Sequence, residues 1–254
     1  MASIARIAQA GADAQDFRDN PFREGTRAYW AVQDTLFEKF MATHDQCIEE
    51  LQRLVRANGG PDLDGSVESL EPLNDWLKYP PLTGAEWDDG CDWRPTWAHI
   101  GDPDRRGPGG MDLLQYFRVE GRVAFYYADV LISQLPGSKW VCWREMRFNG
   151  YCSGLFVLDI GTFPTGVFPL LTVGDCIDDS WRANVNPAHA SYSSRGEHTL
   201  MNMLQRDTSL RMDWLLEGKE LDFQAAPTGR SAGINRGPYK GSRIKARWEA
   251  WYYR

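Results

Sequence analysis

The chain has 254 residues, of which 43% are hydrophobic, 25% charged and 13% aromatic, and its formal net charge is −7. A chain of this length buries roughly 70% of the surface that its unfolded form exposes, so neither disulfides nor a structural metal are needed for folding. No apolar run approaches about 18 residues, which excludes a membrane-spanning helix. The acidic balance argues against nucleic-acid binding by the body of the chain.

Charge is divided unevenly along the sequence. Residues 225–254 hold seven basic side chains and one acidic one, a net charge of +6, so the preceding 224 residues carry −13. Residues 60–104 form an acidic stretch, with eleven acids against two bases. We expect the basic segment to fold back onto this acidic stretch, because pairing within one chain benefits from a high effective concentration.

Residues 27–57 are predicted to form a long helix, because apolar side chains recur there at intervals of three and four. Asn58 and Gly59 supply its C-terminal stop, and Pro61 prevents its continuation. A second helix is predicted over residues 66–78, with Ser66 or Ser69 as its N-cap.

A Trp-rich insertion at residues 79–110 follows, and then a third helix at 111–135. Beyond Pro136-Gly137 the pattern favours strands at 140–143, 154–160 and 167–173. The proline within the third run indicates an edge strand or a bulge. Residues 181–197 are expected to be a loop.

A final helix is predicted over residues 199–216. Together these elements predict an α+β fold in which long helices pack on a small, mostly antiparallel sheet. Residues 1–224 are interpreted as a single domain containing the Trp-rich insertion, and residues 225–254 as a basic, aromatic C-terminal extension.

The sequence contains no recognisable cofactor or metal motif. Its five cysteines are odd in number and lack a CxxC spacing, and no apolar leader precedes them, so we expect free thiols in the reducing cytoplasm. The four histidines lack zinc-ligand spacing, and neither a P-loop nor a nucleophile elbow occurs. We therefore expect no metal, no cofactor and no assigned catalytic residue.

The leading hypothesis is a non-enzymatic binding protein that engages a protein partner with a basic face, since an exposed acidic surface would steer such a partner. The sequence gives no information on oligomeric state. The expected partner-binding residues are the acids Asp62, Asp64, Glu68, Asp88, Asp89 and Asp92.

Two alternatives remain open. The first is a hydrolase or transferase with a site beneath the insertion, built from Asp88, Asp92, His99 and Asp175; the last of these would follow the third strand. The second is binding of single-stranded nucleic acid through the tail, where bases alternate with aromatics. The residues for that function are Arg243, Lys245, Arg247, Trp248 and Trp251.

Three motifs carry a resemblance to a family. They are Gly-Gly-Pro at residues 59–61, Ser-Leu-Glu-Pro-Leu-Asn-Asp-Trp at 69–76 and Pro-Gly-Ser-Lys-Trp-Val at 136–141. In this order they resemble uncharacterised, mainly actinobacterial cytosolic proteins over about residues 27–175. The resemblance implies an α+β domain of the kind seen in immunity-protein-like families that bind partners, and it assigns no catalytic residue.

Overall fold

The computed structural model describes residues 3–13, 20–78, 113–144, 155–162, 166–185 and 198–223. It confirms the predicted α+β class, because long helices accompany one small antiparallel sheet. The elements are α1 (Ile4–Asp13), α2 (Arg27–Ala42), α3 (His44–Ala57), α4 (Leu70–Leu77), α5 (Leu113–Gln134), β1 (Lys139–Cys142), β2 (Phe156–Asp159), α6 (Pro169–Val185) and α7 (Leu200–Leu216).

The helix predicted over residues 27–57 is two helices that meet at Thr43. The backbone of this residue has ψ of −4°, and its hydroxyl donates a hydrogen bond of 2.8 Å to the Phe40 carbonyl. A threonine hydroxyl that bonds to a nearby carbonyl competes with the regular helical ladder, which gives a local reason for the break. Both halves keep the predicted apolar stripe, with Leu36, Phe40 and Leu51 buried.

Helix α4 begins at Leu70, directly after Ser69, the later of the two predicted N-cap positions. A turn of 3₁₀-helix at Val67–Ser69 precedes α4, and neither Ser66 nor Ser69 caps a helix through its side chain, so the capping prediction was wrong. The Ser69 hydroxyl instead donates to the Ser66 carbonyl at 2.6 Å.

The two strands pair as an antiparallel hairpin in which Trp140 lies opposite Leu158 and Cys142 lies opposite Phe156. All four residues of β2 are buried, and a nearly continuous apolar sequence such as that of residues 154–160 is typical of a strand covered on both faces.

The strand predicted at residues 167–173 was wrong. Val167 makes one antiparallel bridge with Leu158, and the chain then turns into α6 at Pro169. Proline suits the first position of a helix, where its fixed φ is compatible and its missing N–H is not needed. Because α6 extends to Val185, the start of the predicted loop at 181–197 is also helical.

Helix α5 lies at the centre of the core. Its residues 122–128 are all buried, so this helix is covered on every side. Phe125 stacks on Phe40 of α2 with ring centroids 4.5 Å apart, and Trp140 and Phe156 of the hairpin contact the same Phe40 ring at 5.2 and 4.8 Å. This aromatic cluster joins the helices to the sheet.

Helix α7 has the predicted bounds to within one residue and is capped by Thr199, whose hydroxyl accepts a hydrogen bond of 3.1 Å from the Asn202 N–H. After α7 the chain returns to the core: the Asp222 N–H donates to the Gly161 carbonyl at 2.9 Å. The Phe223 ring lies against Gly137 and Gly161.

Candidate functional site

Five exposed carboxylates lie within residues 62–75, and we call them the acidic ridge. They are Asp62, Asp64, Glu68, Glu71 and Asp75. Three of them are predicted partner-binding residues, and all three are exposed.

Two of these carboxylates, Glu71 and Asp75, lie on α4, which is amphipathic. Leu70, Leu73 and Leu77 point into the core and are fully buried. Glu71 and Asp75 are four residues apart and therefore share the opposite, solvent-facing side of the helix. A carboxylate in the first turn of a helix interacts favourably with the positive end of its macrodipole, which offsets part of the repulsion between these neighbours.

The turn that precedes α4 is fixed by a relay of hydrogen bonds to α5. The Gly65 N–H donates to the Tyr126 hydroxyl at 3.0 Å, and this hydroxyl lies 2.5 Å from that of Ser69. Since Ser69 gives its own hydrogen to Ser66, Tyr126 is the donor in the contact with Ser69. The base of the ridge is thus held by the buried central helix.

Two further contacts hold the segment that carries the ridge. The Gln52 amide of α3 donates to the Leu63 carbonyl at 2.9 Å. The buried Asn74 accepts a hydrogen bond of 3.2 Å from the Leu200 N–H at the start of α7. Helices α3, α5 and α7 therefore all fix the position of the ridge.

Few basic side chains offset the negative charge of the ridge. Asp75 pairs with Lys78 at 2.6 Å, and Asp62 lies 3.7 Å from Arg56, with both side chains of the latter pair largely exposed. Within the described ranges, Glu68 and Glu71 take part in no ion pair. Exposed pairs of this kind contribute little energy, so Arg56 and Lys78 bind the ridge only weakly.

The turn before α4 lowers the pKa of Asp64. Hydrogen bonds from the Ser66 hydroxyl and from the Ser66 N–H, the latter 2.9 Å long, lower the pKa of Asp64 from its usual value. Its charge therefore persists to lower pH than that of an isolated aspartate.

The remaining predicted site residues do not belong to the ridge. Asp88, Asp89, Asp92 and His99 lie outside the described residues, as do the tail residues Arg243, Lys245, Arg247, Trp248 and Trp251. Asp175 is exposed on α6 and follows no strand, so the strand-end argument for its catalytic role was wrong.

A buried network that the sequence did not predict joins α5 to α7. The Tyr127 hydroxyl donates to Asp207 at 2.7 Å, and the Arg206 guanidinium binds the other oxygen of that carboxylate at 2.8 Å. Burial raises the pKa of Asp207, and burial with the nearby carboxylate raises the pKa of Tyr127 well above its usual value. Arg206 also reaches the Thr172 hydroxyl of α6 at 3.3 Å, so the network ties three helices together.

A second buried polar pair joins α3 to α5. Arg122 is fully buried and donates from Nε to Glu50 at 2.8 Å and from Nη2 to the same oxygen at 2.5 Å. Since Arg122 stands within an apolar helical run, its position hinted at a buried partner, but the sequence could not identify Glu50, which is 72 residues away.

His44 joins the start of α3 to α5. Its ring nitrogens lie 2.9 Å from Asp129 and 2.8 Å from Asp45, and the ring packs edge-on against Phe125. The hydrogen bond with Asp129, helped by that with Asp45, raises the pKa of His44 to about 9 against an opposing effect of burial. The imidazole is therefore a cation at neutral pH, and its ion pair with Asp129 links α3 to α5.

The cysteines that the structure describes are free thiols. Cys47, Cys142 and Cys176 are all buried, and burial raises the pKa of Cys142 to about 12. A thiol with such a pKa is a poor nucleophile at neutral pH.

Among the described residues, no group of three or more histidines, cysteines or acids is arranged to hold a metal ion. In the same part of the chain, no helix combines the length and the apolar character that crossing a membrane requires. Comparison with known proteins found no matching family model, no matching curated protein and no matching solved structure.

Proposed function

We propose that the protein is a non-enzymatic binding protein whose acidic ridge receives the basic face of a protein partner, in the manner of an immunity or antitoxin protein. One observation carries this proposal: five exposed carboxylates lie within a segment of 14 residues, 62–75, that three helices hold in place. A prearranged set of like charges raises the rate of encounter with a partner of opposite charge.

The strength of the attraction depends on distance and salt. At physiological ionic strength the Debye length is about 8 Å, so the ridge acts mainly on charges that come close to it. Mutating charges at the rim of an interface chiefly alters the association rate and its salt dependence. The proposal therefore predicts a complex that forms quickly at low salt and more slowly as salt rises.

The test begins with a variant that removes charge without altering shape. Glu68→Gln/Glu71→Gln/Asp75→Asn neutralises three ridge carboxylates that are exposed. A matched control, Glu38→Gln/Glu49→Gln/Glu220→Gln, removes the same charge from exposed positions elsewhere. Comparing them separates the effect of the ridge from the effect of net charge.

Both variants and the unaltered chain are used to capture proteins from a lysate of the source cells, and a captured basic protein is then purified for binding kinetics. We expect the ridge variant to lose association rate by about tenfold and to show a weaker salt dependence, while the control stays close to the unaltered chain. An equal loss of association rate in the two variants, or an association rate that neither variant changes, would contradict the proposal.

A further inference from the structure

Helix α7 ends in an apolar stripe that the described core does not cover. Met212 is 55% exposed, Leu215 is 43% exposed and Leu216 is 80% exposed. Positions separated by three and four residues share one face of a helix, so these side chains form one continuous stripe. Large apolar side chains grouped in this way on a surface usually mark a contact site.

The stripe is bordered by acids. Asp213 and Glu217 are exposed and four residues apart, and they stand along one side of it. Glu220 and Asp222 follow just beyond the helix, and Lys219 is the one base within residues 212–223. The Lys219 ammonium pairs with Glu217 at 2.5 Å and lies 4.1 Å from the centre of the Trp214 ring.

A complementary pattern occurs in the C-terminal segment of the same chain. Ile244, Trp248, Trp251 and Tyr252 are spaced by four, three and one residues, as on the apolar face of a helix. In such a helix Arg243, Arg247 and Arg254 would all stand on one side of that face. The C-terminal segment thus combines an apolar face with a basic border, whereas α7 combines an apolar stripe with an acidic border.

We propose that residues 243–254 dock on the apolar stripe of α7, with the tryptophans against Met212 and Leu216 and the arginines beside Asp213 and Glu217. This interaction within the chain is independent of the proposed function of the acidic ridge.

The chain between α7 and the C-terminal segment is long enough for the segment to reach the apolar stripe. The described chain comes to Phe223, which is held near the end of α7 by its contact with Gly161 and by the Arg211 guanidinium 5.7 Å from its ring centre. The 19 residues from Gln224 to Ser242 can span up to about 60 Å, whereas α7 is only about 25 Å long. Because both segments belong to one chain, docking also benefits from a high effective concentration.

The test uses trypsin on the full chain, since Arg243, Lys245 and Arg247 are cleavage sites within the proposed docked segment. Met212→Ser/Leu216→Ser removes the apolar stripe at two exposed positions, and Ile4→Ser, at a residue 87% exposed on α1, is the matched control. Circular dichroism and thermal melting check that each variant is folded.

We expect the stripe variant to be cleaved at these sites about tenfold faster than the unaltered chain, with the control unchanged. The reciprocal variant Trp248→Ala/Trp251→Ala leaves every described residue intact and should give the same acceleration. Equal cleavage rates in all four proteins would overturn the proposal. Protection that grows with protein concentration would also overturn it, because a second copy would then cover the stripe.

Discussion

The Tyr126 hydroxyl lies 2.5 Å from the Ser69 hydroxyl, although 57 residues separate the two in sequence. Through this contact the buried α5 fixes the turn from which the acidic ridge begins. The same hydroxyl accepts the Gly65 N–H, so one phenolic group holds both ends of the turn.

Tyr126→Phe should therefore loosen the turn without opening a cavity. Removing the phenolic oxygen breaks the bond from the Gly65 N–H and the bond to Ser69, whose hydroxyl keeps its bond to the Ser66 carbonyl. At about 0.5–1.5 kcal/mol for each lost bond, we expect a loss of about 1–3 kcal/mol in unfolding free energy. Urea unfolding measures this loss, and hydrogen exchange should show faster exchange at the Gly65 amide. Tyr127→Phe is the control, since it breaks a bond to Asp207 and should leave exchange at Gly65 unchanged.

Glu50 and Arg122 should show strong coupling. Glu50→Leu or Arg122→Met alone removes the partner of a buried charge and should cost about 3–5 kcal/mol. The double variant Glu50→Leu/Arg122→Met should recover most of that loss, because replacing both buried ions by apolar groups is often neutral or stabilising. A double-mutant cycle from urea unfolding tests this, and additive losses would show that the pair is not a coupled unit.

His44 should make stability depend on pH on the alkaline side of neutrality. The folded state raises its pKa from 6.5 to about 9, so its contribution is complete below about pH 6.5 and is lost as pH rises through 9. The facing groups are Asp129 on α5 and Asp45 on α3.

His44→Gln should remove about 1–2 kcal/mol at pH 6 and much less at pH 9.5, allowing for solvent screening at the exposed Asp45. The measurement is the urea midpoint of both proteins across this range. An equal effect of the substitution at both pH values would show that the ion pairs do not stabilise the fold.

Gly161→Ala should destabilise the contact that holds Phe223. Gly161 has a φ of +80°, and an added Cβ would lie 2.8 Å from the Phe223 ring. Gly218 has a φ of +73° with nothing within 4 Å of an added Cβ, so Gly218→Ala carries the backbone strain alone. We expect a loss of about 1 kcal/mol for Gly218→Ala and about 2–3 kcal/mol for Gly161→Ala, both measured by thermal unfolding. Equal losses would mean that the ring moves aside freely.

The start of α6 differs from the prediction because the sequence around Pro169 is locally typical of a strand. Val167–Val173 is an apolar run before Gly174, which is typical of a strand. The helical periodicity becomes visible only when the run is continued, since Leu170, Val173 and Ile177 are all buried on one side of α6. Proline at position 169, interpreted as a strand breaker, is the first residue of that helix.

The sequence by itself determined the α+β class, the extents of α5 and α7, the hairpin strands and the exposure of the acids of the ridge. These properties follow from the local periodicity of apolar and charged residues. Only the tertiary structure decided the break at Thr43, the start of α6, and the pairing of Glu50 with Arg122 and of Tyr127 with Asp207. Such pairings join residues 72 and 80 positions apart, and they depend on how helices pack, which no local pattern specifies.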